Sequence, residues 1–298
     1  MNLENLHCIV CSSKILKEVP FGYNFKNKWL QAFECKTCKM IFIFPQPNEL
    51  ELKELYLEDY FESGDYRCGH AKNCFDEDEE TIVNHNLINK VCKIKSSGNF
   101  LDIGCAGGHF LNTIRKRGFN PFGVELSKYA AENAIEKFNL NIKIGDLFSS
   151  QFEKNFFDVI YLGDVLEHIP NPNDFLNEIT RIAKNDCLVV ILCPTQTNSI
   201  LSRIGFLVFS LLNKKATVNL PPYHLLEFRP ISMKNFLKKF NLKIIKCKSF
   251  TMKPNEIAQR NSSLQNVAKK IFQYPNYFFS SIFNAFGDRI EIFTKIVK

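Results

Sequence analysis

The chain predicts an α/β fold, a parallel sheet with helices on both faces, preceded by a small N-terminal ribbon that binds a metal. Three observations carry that prediction. From residue 98 onward, short apolar runs alternate with segments of helical period. Asn99 to Glu125, NFLDIGCAGGHFLNTIRKRGFNPFGVE, reads as a buried strand, a glycine-rich turn, a helix and a second strand closing on an acid. Two Cys-x2-Cys pairs, Cys8/Cys11 and Cys35/Cys38, stand in the first 48 residues.

The bulk properties set few limits. The 298 residues are 45% hydrophobic and 23% charged, ordinary for a globular protein of one large domain or two smaller ones. A net charge of +7 permits an anionic substrate, nucleic acid or a membrane surface and demands none. The opening MNLENLHCIVC has neither the basic start nor the apolar core of a secretory signal. No apolar run reaches the roughly 18 to 20 residues of a membrane span. Eleven cysteines without a signal point to a reducing, cytoplasmic setting.

Residues 1–48 form the expected ribbon. Two matched knuckles, with a spacer of 23 residues, can bring four thiolates to a tetrahedral Zn2+. Four protein ligands leave no open position, so the ion is structural. The competing readings are chance pairs or a redox dithiol. Ile9 to Val19 and Trp29 to Phe33 are the expected ribbon strands. Residues 49–97 read as a helical linker: Asn48 caps a helix over Glu49 to Leu57, and an acidic run, Asp76 to Glu80, opens a helix to Lys95. Between them lie the aromatics Tyr56, Tyr60, Phe61 and Tyr66. Cys68, His70 and Cys74 read as a loop more readily than as a second metal site.

Residues 98–298 carry the alternation. After Glu125, Ser127 caps a helix to Phe138, Ile142 to Ile144 is a strand, and Phe157 to Leu162 is a buried strand. Asn173 caps a helix from Asp174 to Ala183, and Leu188 to Leu192 is the next strand. Thr195 to Leu220 breaks the rhythm and is read as a lid, a core helix or a membrane-contacting segment; on the first of these readings 195–224 is an inserted lid. Pro221 to Phe228 returns to the sheet edge, Ser232 caps a helix to Phe240, and Leu242 to Phe250 is a strand. Asn255 to Phe286 is mostly helical, and Arg289 to Val297 alternates as a last strand. The glycine turn and Glu125 make a nucleotide-type site in which the acid takes two ribose hydroxyls.

Leu101-Asp102-Ile103-Gly104-Cys105-Ala106-Gly107-Gly108 resembles the first motif of class I S-adenosylmethionine-dependent methyltransferases. Phe157-Asp158-Val159-Ile160, with Asp164 to Ile169, resembles their fourth-strand motif. The resemblance runs in order from about residue 98 to 298 and implies a Rossmann-like seven-stranded sheet whose last strand is antiparallel. It also implies roles. Gly104, Ala106 and Gly108 pass close to the methionine and ribose, and Asp102 orders that loop. Glu125, followed by Leu126, takes the ribose hydroxyls. Asp146 receives the adenine amino group with Leu147 against the ring, and Gly163 and Asp164 lie beside the methionine end. The missing final glycine of a dinucleotide fingerprint disfavours NAD.

The cofactor supplies the electrophile, so the protein aligns the partners, and a hydroxyl acceptor needs a base. His168 or His224 is that base. The ribbon with Leu55-Tyr56 and Asp59-Tyr60 resembles methyltransferases of cell-surface carbohydrate pathways. That implies a small-molecule acceptor such as a nucleotide-linked sugar, methylated on oxygen. The alternatives are a zinc-ribbon RNA methyltransferase, against which stand the missing Asn-Pro-Pro-aromatic turn and the sparse basic residues of the ribbon, and a cofactor-binding partner without catalysis. Peripheral membrane contact is left open.

Overall fold

The computed structural model describes residues 6–54, 85–218, 221–222, 224–253, 263–283 and 285–298. The expected aromatic cluster at Tyr56 to Tyr66, the Cys68–Cys74 segment and the acidic helix opening at Asp76 lie outside them.

The ribbon begins with β1 (Leu16–Phe25), β2 (Lys28–Cys35) and β3 (Ile41–Phe44), an antiparallel meander. β1 starts at Leu16 rather than Ile9, because residues 8–13 form a turn: the Cys8 N–H donates to the Ser13 carbonyl at 2.9 Å. A short helix, α1 (Glu49–Glu54), follows. Asn48 caps it as expected: its Oδ1 accepts from the Glu51 N–H at 2.9 Å and Glu51 returns the bond to the Asn48 N–H. α2 (His85–Cys92) buries Leu87, Ile88 and Val91.

Next come β4 (Gly98–Ile103), α3 (His109–Lys116), β5 (Phe119–Glu125), α4 (Lys128–Phe138), β6 (Asn141–Ile144) and β7 (Phe157–Gly163). They are followed by α5 (Pro172–Ile182), β8 (Ala183–Pro194) and α6 (Ile200–Leu211). The remaining elements are β9 (Ala216–Val218), β10 (Leu226–Glu227), α7 (Pro230–Lys238), β11 (Leu242–Phe250), α8 (Ser263–Phe283) and β12 (Arg289–Ile296). Seven strands form one sheet in the order β11-β12-β8-β7-β4-β5-β6. β4 to β8 pair in parallel, and β12 runs antiparallel between β8 and β11, so the sheet has the expected form.

The pleat divides the core in two. Leu101, Ile160, Val189 and Ile191 face α5, α7 and the ribbon. Their neighbours Phe100, Val159, Leu188 and Val190 face the opposite way, towards α2, α3 and α4. Both faces are covered, so the strands read as unbroken apolar runs. α5 buries Phe175, Leu176, Ile179 and Ile182. Each such side chain is worth about 1.5–3 kcal/mol relative to exposure.

Four local expectations need correction. Asn171, not Asn173, caps α5, because Pro172 fits the first helical position, where its missing N–H costs nothing. Asn173 instead donates to the Ile9 carbonyl at 2.9 Å and ties the helix to the ribbon. By the same proline effect α7 starts at Pro230, with Ser232 inside its first turn accepting from the Arg229 N–H at 2.8 Å. Glu227 joins the ribbon rather than the main sheet: β10 pairs with β3, and β9 pairs with β1, giving a second sheet ordered β10-β3-β2-β1-β9. α6 is not a core helix, since none of its residues is buried. Its Phe206 stacks on Phe21 of β1 at 5.4 Å. Among the described residues no helix is long and apolar enough to cross a membrane.

Candidate functional site

Parallel strands deliver the loops that follow them to one edge. Between β4 and β7 the chain stops winding one way and starts winding the other, which opens a crevice at that edge. The expected cofactor residues lie at the ends of β4, β5 and β7 and on the loops after β4, β5, β6 and β7.

The loop after β4 turns back on itself through left-handed residues, Gly104 at φ 75°, Ala106 at φ 44° and Gly108 at φ 73°. A Cβ on Gly104 would stand 2.8 Å from Val165 Cγ2, in a conformation that side chains rarely adopt. Gly104→Val is therefore expected to destabilise the fold by about 2 kcal/mol or more, read as a lowered melting temperature, and to abolish ligand binding at the loop. Ala106 accepts about 1–2 kcal/mol of strain in the same region. What holds it there is Glu125: Oε2 accepts from the Ala106 N–H at 2.8 Å, and Oε1 accepts from the Ser127 N–H at 2.9 Å. Glu125 is nearly buried, and a carboxylate oxygen can accept more than one hydrogen bond.

Asp102 is buried beneath this loop, and burial, with Glu125 close by, pushes its carboxyl well above the usual range. Asp146 is exposed and closes a turn, its Oδ1 accepting from the Ser149 N–H at 2.6 Å. Leu147 is buried in the core below, while Leu126 and Phe148 are exposed along this edge. Phe148 is an aromatic that the sequence reading did not select. Gly163 ends β7, and Asp164 follows at φ 56° with its carboxylate held by both oxygens to Arg289, one contact at 2.6 Å. Arg289 was also missed: it stands at the start of β12, 125 residues away, and the antiparallel register brings it over.

The expected bases do meet. His168 ends a helical turn, Leu166–His168, and its ring lies 5.2 Å from that of His224 at an interplanar angle of 70°. The Leu225 N–H donates to the Glu167 carbonyl at 2.9 Å and fastens the two loops together. Between them sits Glu167, fully buried, whose Oε1 is 3.6 Å from His168 Nε2 and has no hydrogen-bond partner. Burial first, and Asp164 second, push the Glu167 carboxyl up to about 8. His224 Nδ1 lies 3.6 Å from Oε1 of buried Glu227. Burial alone would draw the His224 imidazole down, but Glu227 and Glu167 outweigh it and its pKa is raised.

About 310 Å3 of space opens between α6, α7 and β11, lined by Arg203, Arg229 and Lys234 among others.

The four ribbon cysteines also meet. Both knuckles have one design: the Cys8 N–H donates to Ser13 and the Ser12 N–H returns to Cys8. The Cys35 N–H donates to Met40 and the Lys39 N–H returns to Cys35. Ser12 and Lys39 are both left-handed. Cys8 Sγ is 3.5 Å from Cys38 Sγ, and Cys11 Sγ is 3.6 Å from Cys35 Sγ. A tetrahedral ion at about 2.3 Å from four sulfurs separates them by a similar distance, so the group fits one metal ion.

A family model for a methyltransferase domain matches residues 76–246, more than half of the chain. Over 111 residues the chain is 31% identical to the ubiquinone biosynthesis O-methyltransferase of Glaesserella parasuis serovar 5 (strain SH0165), covering 33% of this chain and 47% of that enzyme. Over 113 residues it is 26% identical to norajmaline N-methyltransferase of Rauvolfia serpentina, covering 35% of this chain and 38% of that enzyme. The chain thus spans less than half the length of these relatives. A SAM dependent methyltransferase from Archaeoglobus fulgidus shares the fold, with a TM-score of 0.51 and 20% identity over 72% of this chain and 94% of that one.

Proposed function

Because the chain belongs to the methyltransferase domain family, we propose that it transfers the methyl group of S-adenosylmethionine to a hydroxyl of a small molecule, a sugar or surface-glycan precursor linked to a nucleotide. The observation that carries this reading is the division of the sheet edge at the crevice. On the β4–β5–β6 side stand Glu125 and the left-handed loop. On the β7–β8 side stand His168 and His224.

The residues present fit the cofactor. The loop after β4 carries no side chain larger than alanine at Gly104, Ala106 and Gly108, and it lacks the regularly spaced final glycine of a dinucleotide fingerprint. Glu125 accepts from the ribose hydroxyls, since a carboxylate can accept from both at once. Asp102 stiffens the loop, and Leu126, Asp146 and Phe148 line the adenine end. Gly163 and Asp164, the latter fixed by Arg289, border the methionine end. Bound there, the cofactor supplies an electrophilic methyl on a cationic sulfur.

The chain's own part is alignment and removal of the acceptor proton. His168 and His224 stand where that proton leaves, steered by Glu167 and Glu227. Arg203, Arg229 and Lys234 suit the phosphates of an activated sugar. The ribbon holds a structural Zn2+ on Cys8, Cys11, Cys35 and Cys38.

A transfer assay with methyl-labelled cofactor, run against nucleotide sugars and RNA, tests the reading. Label is expected on the sugar, and labelling of RNA alone would overturn it. In the same assay His224→Asn is expected to lower kcat by about 100-fold with affinity for S-adenosylhomocysteine changed less than about threefold, a change below 1 kcal/mol.

A further inference from the structure

We propose that Glu167, His168 and His224 bind a divalent first-row transition cation, and that this ion, rather than a free imidazole, activates the acceptor hydroxyl. The second half rests on the methyl transfer to a hydroxyl proposed above and replaces its imidazole base; the first does not.

The donor set comes first. One carboxylate oxygen and one nitrogen from each imidazole lie within 4.8 Å of one another. Glu167 Oε1 and His168 Nε2 are 3.6 Å apart, close to the spacing of two ligands about 2.0–2.2 Å from one ion. Two imidazoles and one carboxylate on a single side leave the remaining positions open, the arrangement of a reactive rather than a structural centre.

The second observation concerns Glu167. Its side chain is fully buried and Oε1 has no hydrogen-bond partner, while Oε2 receives the thiol of Cys193 at 3.5 Å. A buried carboxylate oxygen without a donor is costly, and the fold tolerates it only where something else meets it. A cation held jointly with the imidazoles does so.

Charge and orientation agree. Asp164 is neutralised by Arg289, which leaves Glu167 and Glu227 as two buried acids beside two imidazoles. Glu227 takes the Nδ1 side of His224 at 3.6 Å and leaves Nε2 for the metal, as carboxylates behind metal-bound histidines do. The centre is chemically distinct from the ribbon: nitrogen and oxygen donors here, four thiols there.

An acceptor hydroxyl entering an open position of the ion would lose its proton to solvent near neutral pH, because coordination lowers its pKa. The resulting oxygen anion forms the new O–CH3 bond as the C–S bond of the cofactor breaks, its electron pair staying on sulfur. Acceptors with two adjacent hydroxyls can occupy two open positions.

The test is a Mn2+ titration of the full chain, followed by electron paramagnetic resonance and calorimetry. Mn2+ suits nitrogen and oxygen donors and not four thiols. The expected result is one bound Mn2+ per chain, with affinity at least 10-fold weaker in Glu167→Gln and in His224→Asn. Both variants are first checked for S-adenosylhomocysteine binding as evidence of folding. Glu227→Gln should weaken Mn2+ by a smaller factor. Absence of Mn2+ binding by the wild type, or binding undiminished in both variants, overturns the site. Mn2+ binding without methyl transfer to any acceptor leaves the site standing and sinks the functional reading. Methyl transfer unaffected by chelators sinks the role of the ion in the reaction.

Discussion

Glu125→Ala is expected to weaken S-adenosylmethionine and S-adenosylhomocysteine binding by about 100-fold or more. Hydrogen bonds to a charged group contribute about 1.5–3 kcal/mol each, and on the proposed reading two hydroxyls lose their acceptor. The same carboxylate also braces the apo loop. Without it the N–H groups of Ala106 and Ser127 lose their partners, and Ala106 loses what holds it at φ 44°. Part of the effect is therefore a looser loop. Glu125→Gln separates the two contributions. Its one remaining oxygen can satisfy one N–H, but its amide turns a donor towards the other, so it should bind the cofactor better than the alanine variant and worse than the wild type. Calorimetry on the three proteins reads this directly. Equal affinity in wild type and Glu125→Ala would remove Glu125 from the site.

Cys8→Ser combined with Cys35→Ser is expected to have the largest effect on stability. Metal analysis of the wild type should find one zinc per chain that withstands dialysis, and the variant should lose it. A small ribbon has little core of its own and depends on its ion for folding energy. The loss should extend beyond the ribbon, because β9 and β10 belong to its sheet and β10 carries Glu227, the acid behind His224. A cost of several kcal/mol corresponds to a fall of about 10 °C or more in Tm for a domain of this size. Methyl transfer should suffer more than cofactor affinity, since Glu125 and its loop lie on the far side of the crevice. A variant that keeps its zinc and its Tm would contradict the ribbon's metal site.

The parts of this molecule that were legible in the sequence are those in which chemistry and period are local. β4, α3 and β5 form one continuous pattern, so the loop and Glu125 could be read together. The cysteine pairs carry their own spacing. Strand order at the β12 end followed from resemblance rather than from pattern. What escaped depends on distant residues. Arg289 meets Asp164 only through antiparallel register, and nothing near either residue marks the pair. Glu167 looked like a neighbour of His168, and its full burial against His224 exists only after folding. β9 and β10, three and two residues long, are too short to show alternation, so their place in the ribbon sheet was hidden. The caps at Asn171 and Arg229 were displaced by two and three residues because a proline in the next position decided the start.

The most direct test of the central claim is calorimetric titration of the purified full chain with S-adenosylhomocysteine and, separately, with NAD. The sulfonium-cofactor site predicts one S-adenosylhomocysteine per chain and no heat from NAD beyond dilution. Binding of NAD with none of S-adenosylhomocysteine would contradict it.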